Sequence, residues 1–220
     1  RFLADEGAEV AILSRDAEVG TMVSEELESE TGARVRAYSA DLASDSAVEN
    51  AIHQACADFG RIDILVNGAA LPSAAGEFEK LDTLDLDPLL EEINVKVLGY
   101  LRSASSVVPH MKQRGWGRII NIGGVAAYQN GALGGSIRTI SVGAITCNLA
   151  EQLGPMGITV NCIHPGPTVT ALSDHIVAKA AVDQNVSEEE IRKRFASRSI
   201  LGRFVEAREI AATIAFLCSP

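Results

Sequence analysis

The chain has 220 residues, 47% of them hydrophobic and 22% charged, which is typical of one globular domain with a single large core. Its formal net charge of −10 disfavours nucleic acid and anionic membrane surfaces as partners, because either would repel the average surface. No apolar run approaches the roughly 18 residues of a membrane-spanning helix, and the first residues do not resemble a signal peptide.

Strands and helices alternate along the chain. Residues 1–6 are predicted to end a helix that stops at Gly7. The strands are predicted at 9–13, 35–39, 62–66, 118–122 and 158–163, with 62–66 buried. The helices are predicted at 17–31, 44–59, 89–110, 136–153, 188–197 and 207–217. Such alternation predicts an α/β fold, a doubly wound parallel sheet with helices on both faces.

Helix ends are predicted from capping residues. Asp87 is expected to cap the helix that follows it, with Pro88 at the first helical position. Ser136 is expected to cap the helix 136–153, and Ser187 with Glu190 forms a capping box. The apolar stripe at residues 89, 90, 93, 97 and 101 predicts packing against the core or against a second subunit.

The cysteines and histidines show no metal-ligand spacing. We expect free, buried thiols, a reducing cytoplasmic location and no metal site. His164 precedes a Pro-Gly turn, and we expect it to pack or to bond the backbone. The cysteines are Cys56, Cys147, Cys162 and Cys218.

One βαβ unit, from Gly117 to Thr170, organises the rest of the chain. Its first strand runs into a glycine-rich loop and a helix, and its second strand ends in the Pro-Gly turn. Ligands of parallel sheets bind beyond the carboxyl ends of the strands. The loops after Ile122 and His164 are therefore the expected site.

Several motifs occur in an order that resembles the short-chain dehydrogenase/reductase family, including its 3-oxoacyl-(acyl-carrier-protein) reductase-like members. They are LVNGAA, INVKVLGY, GRIINIGG, LAEQLGPMGITVN, HPGPTVT and the closing GRFVEAREIAATIAFLCSP. The resemblance implies one Rossmann-type domain over residues 1–220, with a substrate lid at 171–200. It also implies a carbonyl or alcohol substrate and a homodimer or homotetramer formed through the two long helices. The family's first strand with its glycine-rich loop and its last strand are not in this sequence, so we expect a longer natural protein.

The cofactor implied by the resemblance is NAD(H) or NADP(H), and Arg15 after Ser14 favours NADP(H). A guanidinium suits the 2′-phosphate of NADP(H), although an exposed arginine at a helix start is the alternative interpretation. The resemblance places Asp41 and Leu42 at the adenine, with Asp41 as a helix cap the alternative.

Two further segments match the family's cofactor contacts. Asn67, Gly68 and Ala69 correspond to the family's Asn-Asn-Ala-Gly, and the loss of its second asparagine predicts a looser cofactor floor. The Pro-Gly turn corresponds to the family's nicotinamide and pyrophosphate contacts, with a plain turn as the alternative. Its matching residues are Pro165, Gly166, Thr168 and Thr170.

The family's catalytic side chains are missing at the matched positions. Its serines fall on Gly123 and Gly124, and counting back from Gly157 places its tyrosine and lysine on Gly135 and Thr139. A wider, less polar pocket is therefore predicted there. The residues that remain as candidates are Asn94, whose backbone holds a water in the family, Tyr128 and Ser136 as proton donors, Ser141, and Arg138 as a cation.

Two functions stay open. The first is an NADP(H)-dependent oxidoreductase with a non-standard active site. The second is a catalytically inactive dinucleotide-binding subunit or sensor. The missing serine, tyrosine and lysine favour the second, whereas the matched cofactor segments indicate use of a dinucleotide under either interpretation.

Overall fold

The computed structural model describes residues 1–71, 81–129 and 133–220. Its helices are α1 (Phe2–Asp5), α2 (Ala17–Thr31), α3 (Asp45–Phe59), α4 (Leu86–Ile93), α5 (Gly99–Arg114), α6 (Leu133–Leu153), α7 (Ala171–Gln184), α8 (Glu188–Ala196) and α9 (Ala207–Cys218). Its strands are β1 (Val10–Ser14), β2 (Val35–Ser39), β3 (Ile64–Asn67), β4 (Gly117–Ile122), β5 (Ile158–Ile163), β6 (Thr168–Val169) and β7 (Val205–Glu206). Residues 130–132 of the predicted glycine-rich loop lie outside the described residues.

The strands pair in parallel, as predicted. β1 pairs with β2, and β3, β4 and β5 form a second group in that order. Asn67 at the end of β3 lies opposite Asn121 of β4, and Asn121 lies opposite Cys162 of β5. The carboxyl ends of these strands therefore meet at one edge, where the site was expected.

A cleft separates the two groups of strands. Within the described part of the chain β1 and β3 do not pair, and a cavity of about 1100 Å³ lies between them, hereafter the β1–β3 cleft. The prediction that 62–66 is a buried strand is wrong, because Val66 is 37% exposed. Its side chain lacks packing on the cleft side. The expected additional central strand stays a prediction, and it would pair along these two edges.

The main core lies between the β4–β5 pair and helices α3, α5 and α6. Its fully buried side chains come from each of these elements, which explains why apolar residues recur at helical and strand spacing along the chain. The cluster consists of Val48, Ile52, Ala104, Val107, Met111, Ile119, Leu153, Ile158 and Val160. On the other face, α2 packs on β1 and β2, and α9 packs on β4.

The predicted helix 89–110 is longer and contains a wider turn. α4 and α5 are joined by a π-helical segment, Asn94–Leu98. The cap is Asp85, whose carboxylate accepts from the Asp87 amide at 3.1 Å, so Asp87 is not the cap. The helix starts earlier because Asp85 already satisfies an amide of its first turn.

Two other predicted helix starts need correction. α6 begins at Leu133, so Ser136 lies inside the helix and does not cap it. The helix runs through Gly134 and Gly135, which are tolerated because both are buried against neighbouring elements. Ser187 caps α8 as predicted, since its side chain accepts from the Glu190 amide, but the Glu190 carboxylate accepts from Arg194 and the predicted capping box is not formed.

Segment 171–200 forms α7 and α8, which share a small apolar cluster of Val177, Ala181 and Ile191. Its role as a substrate lid stays a prediction. The cysteines are free, as predicted, but only Cys218 is buried and Cys147 is exposed. Cys147 lies one residue past the buried Thr146, about 100° around the helix, and so faces outward. No helix in the described ranges is long and apolar enough to cross a bilayer.

Candidate functional site

The predicted adenine-side residues lie together. Arg15, Asp41, Leu42, Asn67, Gly68 and Ala69 all line the β1–β3 cleft at the carboxyl ends of the strands. Arg15 is exposed, and its side chain has no hydrogen bond or ion pair with any residue that the structure describes. Ser14, at the end of β1, donates its hydroxyl to the Asp16 carbonyl. These residues fit a dinucleotide, because they lie together at the carboxyl ends of the strands and the Arg15 guanidinium is not engaged by any residue that the structure describes.

Asp41 closes a turn and does not cap a helix. Its carboxylate accepts from the Ala43 amide at 2.9 Å. The cap of α3 is Ser44, whose hydroxyl accepts from the Ala47 amide. The alternative interpretation of Asp41 as a helix cap is therefore wrong.

The floor of the cleft is tied by a chain of buried side chains. Asn67 Nδ2 donates to Asn121 Oδ1 at 2.9 Å, and Asn121 Nδ2 donates to Thr146 Oγ1 at 2.9 Å. The Tyr100 hydroxyl lies within hydrogen-bond distance of the Ala69 and Ile122 carbonyls, at 3.1 and 3.2 Å. Asn121 of the neighbouring strand thus ties β3 to β4 through Asn67, and the predicted looser floor stays a prediction.

The Pro-Gly turn lies apart from that cleft, at the end of β5. The Pro165 carbonyl accepts from the Val125 amide at 3.1 Å, which joins this turn to the loop after β4. Thr168 Oγ1 donates to the Gly166 carbonyl, and Thr170 caps α7 by accepting from the Ser173 amide. The predicted contacts of these residues with nicotinamide and pyrophosphate stay predictions.

Six residues surround the end of β4 and are called here the Gly123 cluster: Lys96, Gly123, Gly124, Thr139, Cys162 and His164. A Cβ atom at Gly123 would lie 2.4 Å from His164 Nδ1, so the imidazole excludes a side chain at that position. A Cβ atom at Gly124 would lie 3.4 Å from Thr139 Cγ2. The glycines are therefore matched to this packing, and a serine at 123 would displace the ring.

His164 bonds the backbone, as predicted. Its Nδ1 lies 3.2 Å from the Gly124 nitrogen and 3.0 Å from the Gly124 oxygen, and its Nε2 lies 3.3 Å from Cys162 Sγ. Burial raises the pKa of the Cys162 thiol. Both ring nitrogens of His164 thus contact groups of the protein itself.

The predicted wider pocket at Gly135 and Thr139 is wrong. Gly135 is buried and Thr139 is 3% exposed, with its hydroxyl donating to the Gly135 carbonyl at 2.7 Å. Helix α6, all of which is described, contains neither tyrosine nor lysine. The start of α6 is therefore filled by packing.

Asn94 does not suit the role that the resemblance implies. Its carbonyl accepts from the Gly99 amide and from Arg102 at 3.0 Å, and its Oδ1 accepts from Arg102 at 2.9 Å. A carbonyl oxygen has two lone pairs, and both are engaged here. Its backbone is therefore not free to hold a water.

The other predicted candidates lie in different surroundings. Tyr128 is 79% exposed, with its ring edge-on to His164 at 5.2 Å between centroids. Ser136 is half-buried in α6, and Ser141 donates to the Ile137 carbonyl. Arg138 forms an ion pair with Glu92 at 3.1 Å, where both side chains are mostly buried.

Sequence reasoning missed Lys96, which lies in the π-helical segment. The residue is 5% exposed, and its Nζ donates to the Gly123 carbonyl at 3.1 Å. Burial, and then the positive charge of Arg138, lower its pKa to about 8. The available signal was a lysine inside the apolar motif INVKVLGY, two residues after Asn94.

Known proteins resemble the whole chain. A family model described as Enoyl-(Acyl carrier protein) reductase matches residues 1–220. The chain is 33% identical over 219 residues to Short-chain reductase protein NovJ of Streptomyces niveus, covering 99% of this chain and 80% of that protein. It is 30% identical over 220 residues to 3-oxoacyl-(acyl-carrier-protein) reductase FabG of Aquifex aeolicus, covering 99% and 82%.

Solved structures share the fold at similar coverage. A variant of actinorhodin polyketide ketoreductase with NADPH has a TM-score of 0.90 and 28% identity, covering 100% of this chain and 84% of that one. L-Sorbose reductase from Gluconobacter frateurii, complexed with NADPH and L-sorbose, has a TM-score of 0.89 and 25% identity, covering 98% and 82%.

Proposed function

The chain belongs to the short-chain dehydrogenase/reductase family, and from this we propose that it is an oxidoreductase that uses NADP(H) to interconvert a carbonyl and an alcohol. The observation that carries the proposal is that the matched cofactor residues Arg15, Asp41 and Asn67 lie together at the carboxyl ends of the strands. Relatives named as reductases, and solved structures that contain NADPH, support the same reaction class.

The residues that would hold the cofactor divide between two segments. Arg15 would bind the 2′-phosphate, Asp41 the adenine, and Asn67–Ala69 would form the floor. The turn Pro165–Thr170 would contact the nicotinamide half. When bound, the nicotinamide supplies or accepts the hydride, and the protein positions the substrate and handles the proton.

We also propose that the protein forms a homodimer or homotetramer through α4, the π-helical segment and α6. Large apolar side chains on these elements are exposed, namely Leu90 at 61%, Leu98 at 42% and Ile140 at 55%. Exposed apolar side chains on adjacent helices favour a subunit contact.

Titration with NADPH and NADH tests the cofactor preference. We expect wild type to bind NADPH more tightly, and Arg15→Ala to weaken NADPH binding by about 10- to 100-fold, the value of charge-assisted hydrogen bonds. NADH binding should change little. Arg208→Ala is the matched control, since Arg208 is exposed on α9 and does not line the cleft. Equal affinity for both cofactors, or NADPH binding unaffected by Arg15→Ala, contradicts the proposal.

The second candidate is a dinucleotide-binding subunit or sensor without turnover. The absence of tyrosine and lysine from α6 favours it. A screen of carbonyl substrates separates the two: NADPH binding with no NADPH oxidation supports the sensor, whereas turnover supports the oxidoreductase.

A further inference from the structure

Lys96 is a buried cation without an ion-pair partner among residues 1–71, 81–129 and 133–220. Its ammonium has three N–H donors, and one of them bonds the Gly123 carbonyl. In the described ranges, no carboxylate lies within ion-pair distance of Nζ and no other hydrogen bond engages it. Glu92 acts on Lys96 only at longer range, because its carboxylate pairs with Arg138. Two of its three donors are thus not used by any residue that the structure describes.

The ammonium lies where α6 has no catalytic side chain. Gly123 follows the last residue of β4, and the next residue, Gly124, packs against Thr139 of α6. Lys96 reaches this point from a different helix, because the wide π turn places it at the end of β4. Such π-helical segments occur frequently at functional sites.

Packing alone does not explain a lysine at this position. Removing an ammonium from water is costly unless a partner compensates, and an apolar side chain of similar length would avoid that cost. One backbone carbonyl is weak compensation for a full charge. A functional constraint gives a reason for the residue.

Other titratable groups near Lys96 are already engaged or chemically unsuited. The Tyr100 hydroxyl is directed at two carbonyls, and burial raises its pKa. His164 contacts Gly124 and Cys162 through its two nitrogens. Arg138 does not lose its proton in proteins. Burial lowers the pKa of Lys96 to about 8, which suits a general acid.

We propose that Lys96 is the proton donor in carbonyl reduction, an inference that rests on the proposed oxidoreductase function. A bound reduced nicotinamide would supply the hydride to the carbonyl carbon, and Lys96 Nζ donates the proton to the carbonyl oxygen. The N–H bond breaks as the O–H bond forms, so an alcohol and a neutral amine result. Water reprotonates the amine, and alcohol oxidation reverses these steps.

Two variants of Lys96 separate its possible roles. Lys96→Met removes charge and proton, whereas Lys96→Arg keeps the charge but cannot release a proton. Lys112→Met is the matched control, since Lys112 is exposed at the end of α5. Steady-state kinetics with NADPH over a panel of ketones should show kcat reduced about 10²- to 10⁴-fold in both Lys96 variants and unchanged in the control.

A second measurement does not depend on turnover. Lysine side chains labelled with ¹³C at Cε are titrated by NMR, and Lys96→Arg identifies the Lys96 signal. We expect the Lys96 signal to titrate near pH 8, well below the usual range of a lysine, and to change when NADPH binds. In wild type, kcat/KM for the ketone at saturating NADPH should fall as pH rises through the Lys96 pKa measured in the NADPH complex, because the donor must be protonated.

The outcomes distinguish this proposal from the proposed function. Wild type that neither binds nor oxidises NADPH overturns the function and, with it, the proton donor. If either Lys96→Met or Lys96→Arg keeps wild-type turnover, Lys96 is not the proton donor, but the proposed oxidoreductase function stands. If only Lys96→Arg keeps it, the role of Lys96 is purely electrostatic. Loss of kcat in Tyr128→Phe but not in Lys96→Met would assign the proton to Tyr128.

Discussion

The β1–β3 cleft and the Gly123 cluster lie at the same edge of the sheet but are built differently. In the cleft, Arg15 and Asp41 are exposed and lie directly after strands. In the Gly123 cluster, Lys96 and Thr139 are almost fully buried and come from different helices. The first region depends on short sequence segments, whereas the second depends on how distant segments pack.

The largest effect is expected where the two regions are joined, at Asn121. Asn121→Ala should lower the free energy of unfolding by about 3 kcal/mol, because the Asn67 amide loses its partner in the core and a small cavity remains. Urea denaturation measures this. Asn148→Ala, on the exposed side of α6, should cost less than about 0.5 kcal/mol. A loss below about 1 kcal/mol in Asn121→Ala would mean that the hydrogen bonds of Asn121 contribute little to holding β3 against β4.

The next effect distinguishes two adjacent glycines inside the cluster. Gly123→Ala should lower the free energy of unfolding by about 2 kcal/mol, since its Cβ would meet His164 at 2.4 Å. Gly124→Ala should cost less than about 1 kcal/mol, because its Cβ would make an ordinary contact with Thr139 at 3.4 Å.

A double variant confirms the cause. In the His164→Ala background, Gly123→Ala should lower the free energy of unfolding much less than it does in wild type. Urea unfolding of wild type, the two single variants and the double variant measures this. Equal costs at the two glycines would contradict the packing account of why no side chain is present at 123.

The fold and the cleft could be predicted because their signals are local. Strand and helix periodicity places β5 at its observed bounds, and Arg15 is recognised by its place after β1. Helix starts at Asp87 and Ser136 were wrong because capping depends on which backbone amides a side chain actually meets, and more than one polar residue is available near each start.

The buried contacts of the cleft floor and of the Gly123 cluster could not be predicted in the same way. The tie between β3 and β4 comes from Asn121, which lies 54 positions from Asn67, and neither residue indicates the pairing by itself. Lys96 lies in a segment that otherwise reads as apolar helix, and only the π turn places it at Gly123. Sequence spacing assigns a catalytic position to α6 but does not show that another helix supplies a cation there.

The smallest effect concerns the stability cost of that cation. Lys96→Met should raise the free energy of unfolding at pH 7 by about 1 kcal/mol. The lowering of the Lys96 pKa from 10.5 to about 8 corresponds to a cost of roughly 3 kcal/mol for the charged form, partly offset by its hydrogen bond and packing. Between pH 8 and 10.5 the unfolded state binds more protons than the folded state, so wild type gains stability as pH rises. The advantage of the variant should therefore shrink across this window, and above it wild type should be the more stable protein by about 2 kcal/mol.

Urea unfolding of wild type, Lys96→Met and Lys112→Met at several pH values measures this difference. Lys112→Met should track wild type, because Lys112 is exposed and has no such burial cost. Taking differences against wild type removes the contribution of thiols and phenols that titrate in the same range. A Lys96→Met protein that is less stable than wild type at pH 7, with a difference independent of pH, would show that the lysine is there for packing. In that case Lys96 would differ from the exposed Arg15 only in its burial. Its charge would not lower the free energy of unfolding, so no functional reason for the lysine would be needed.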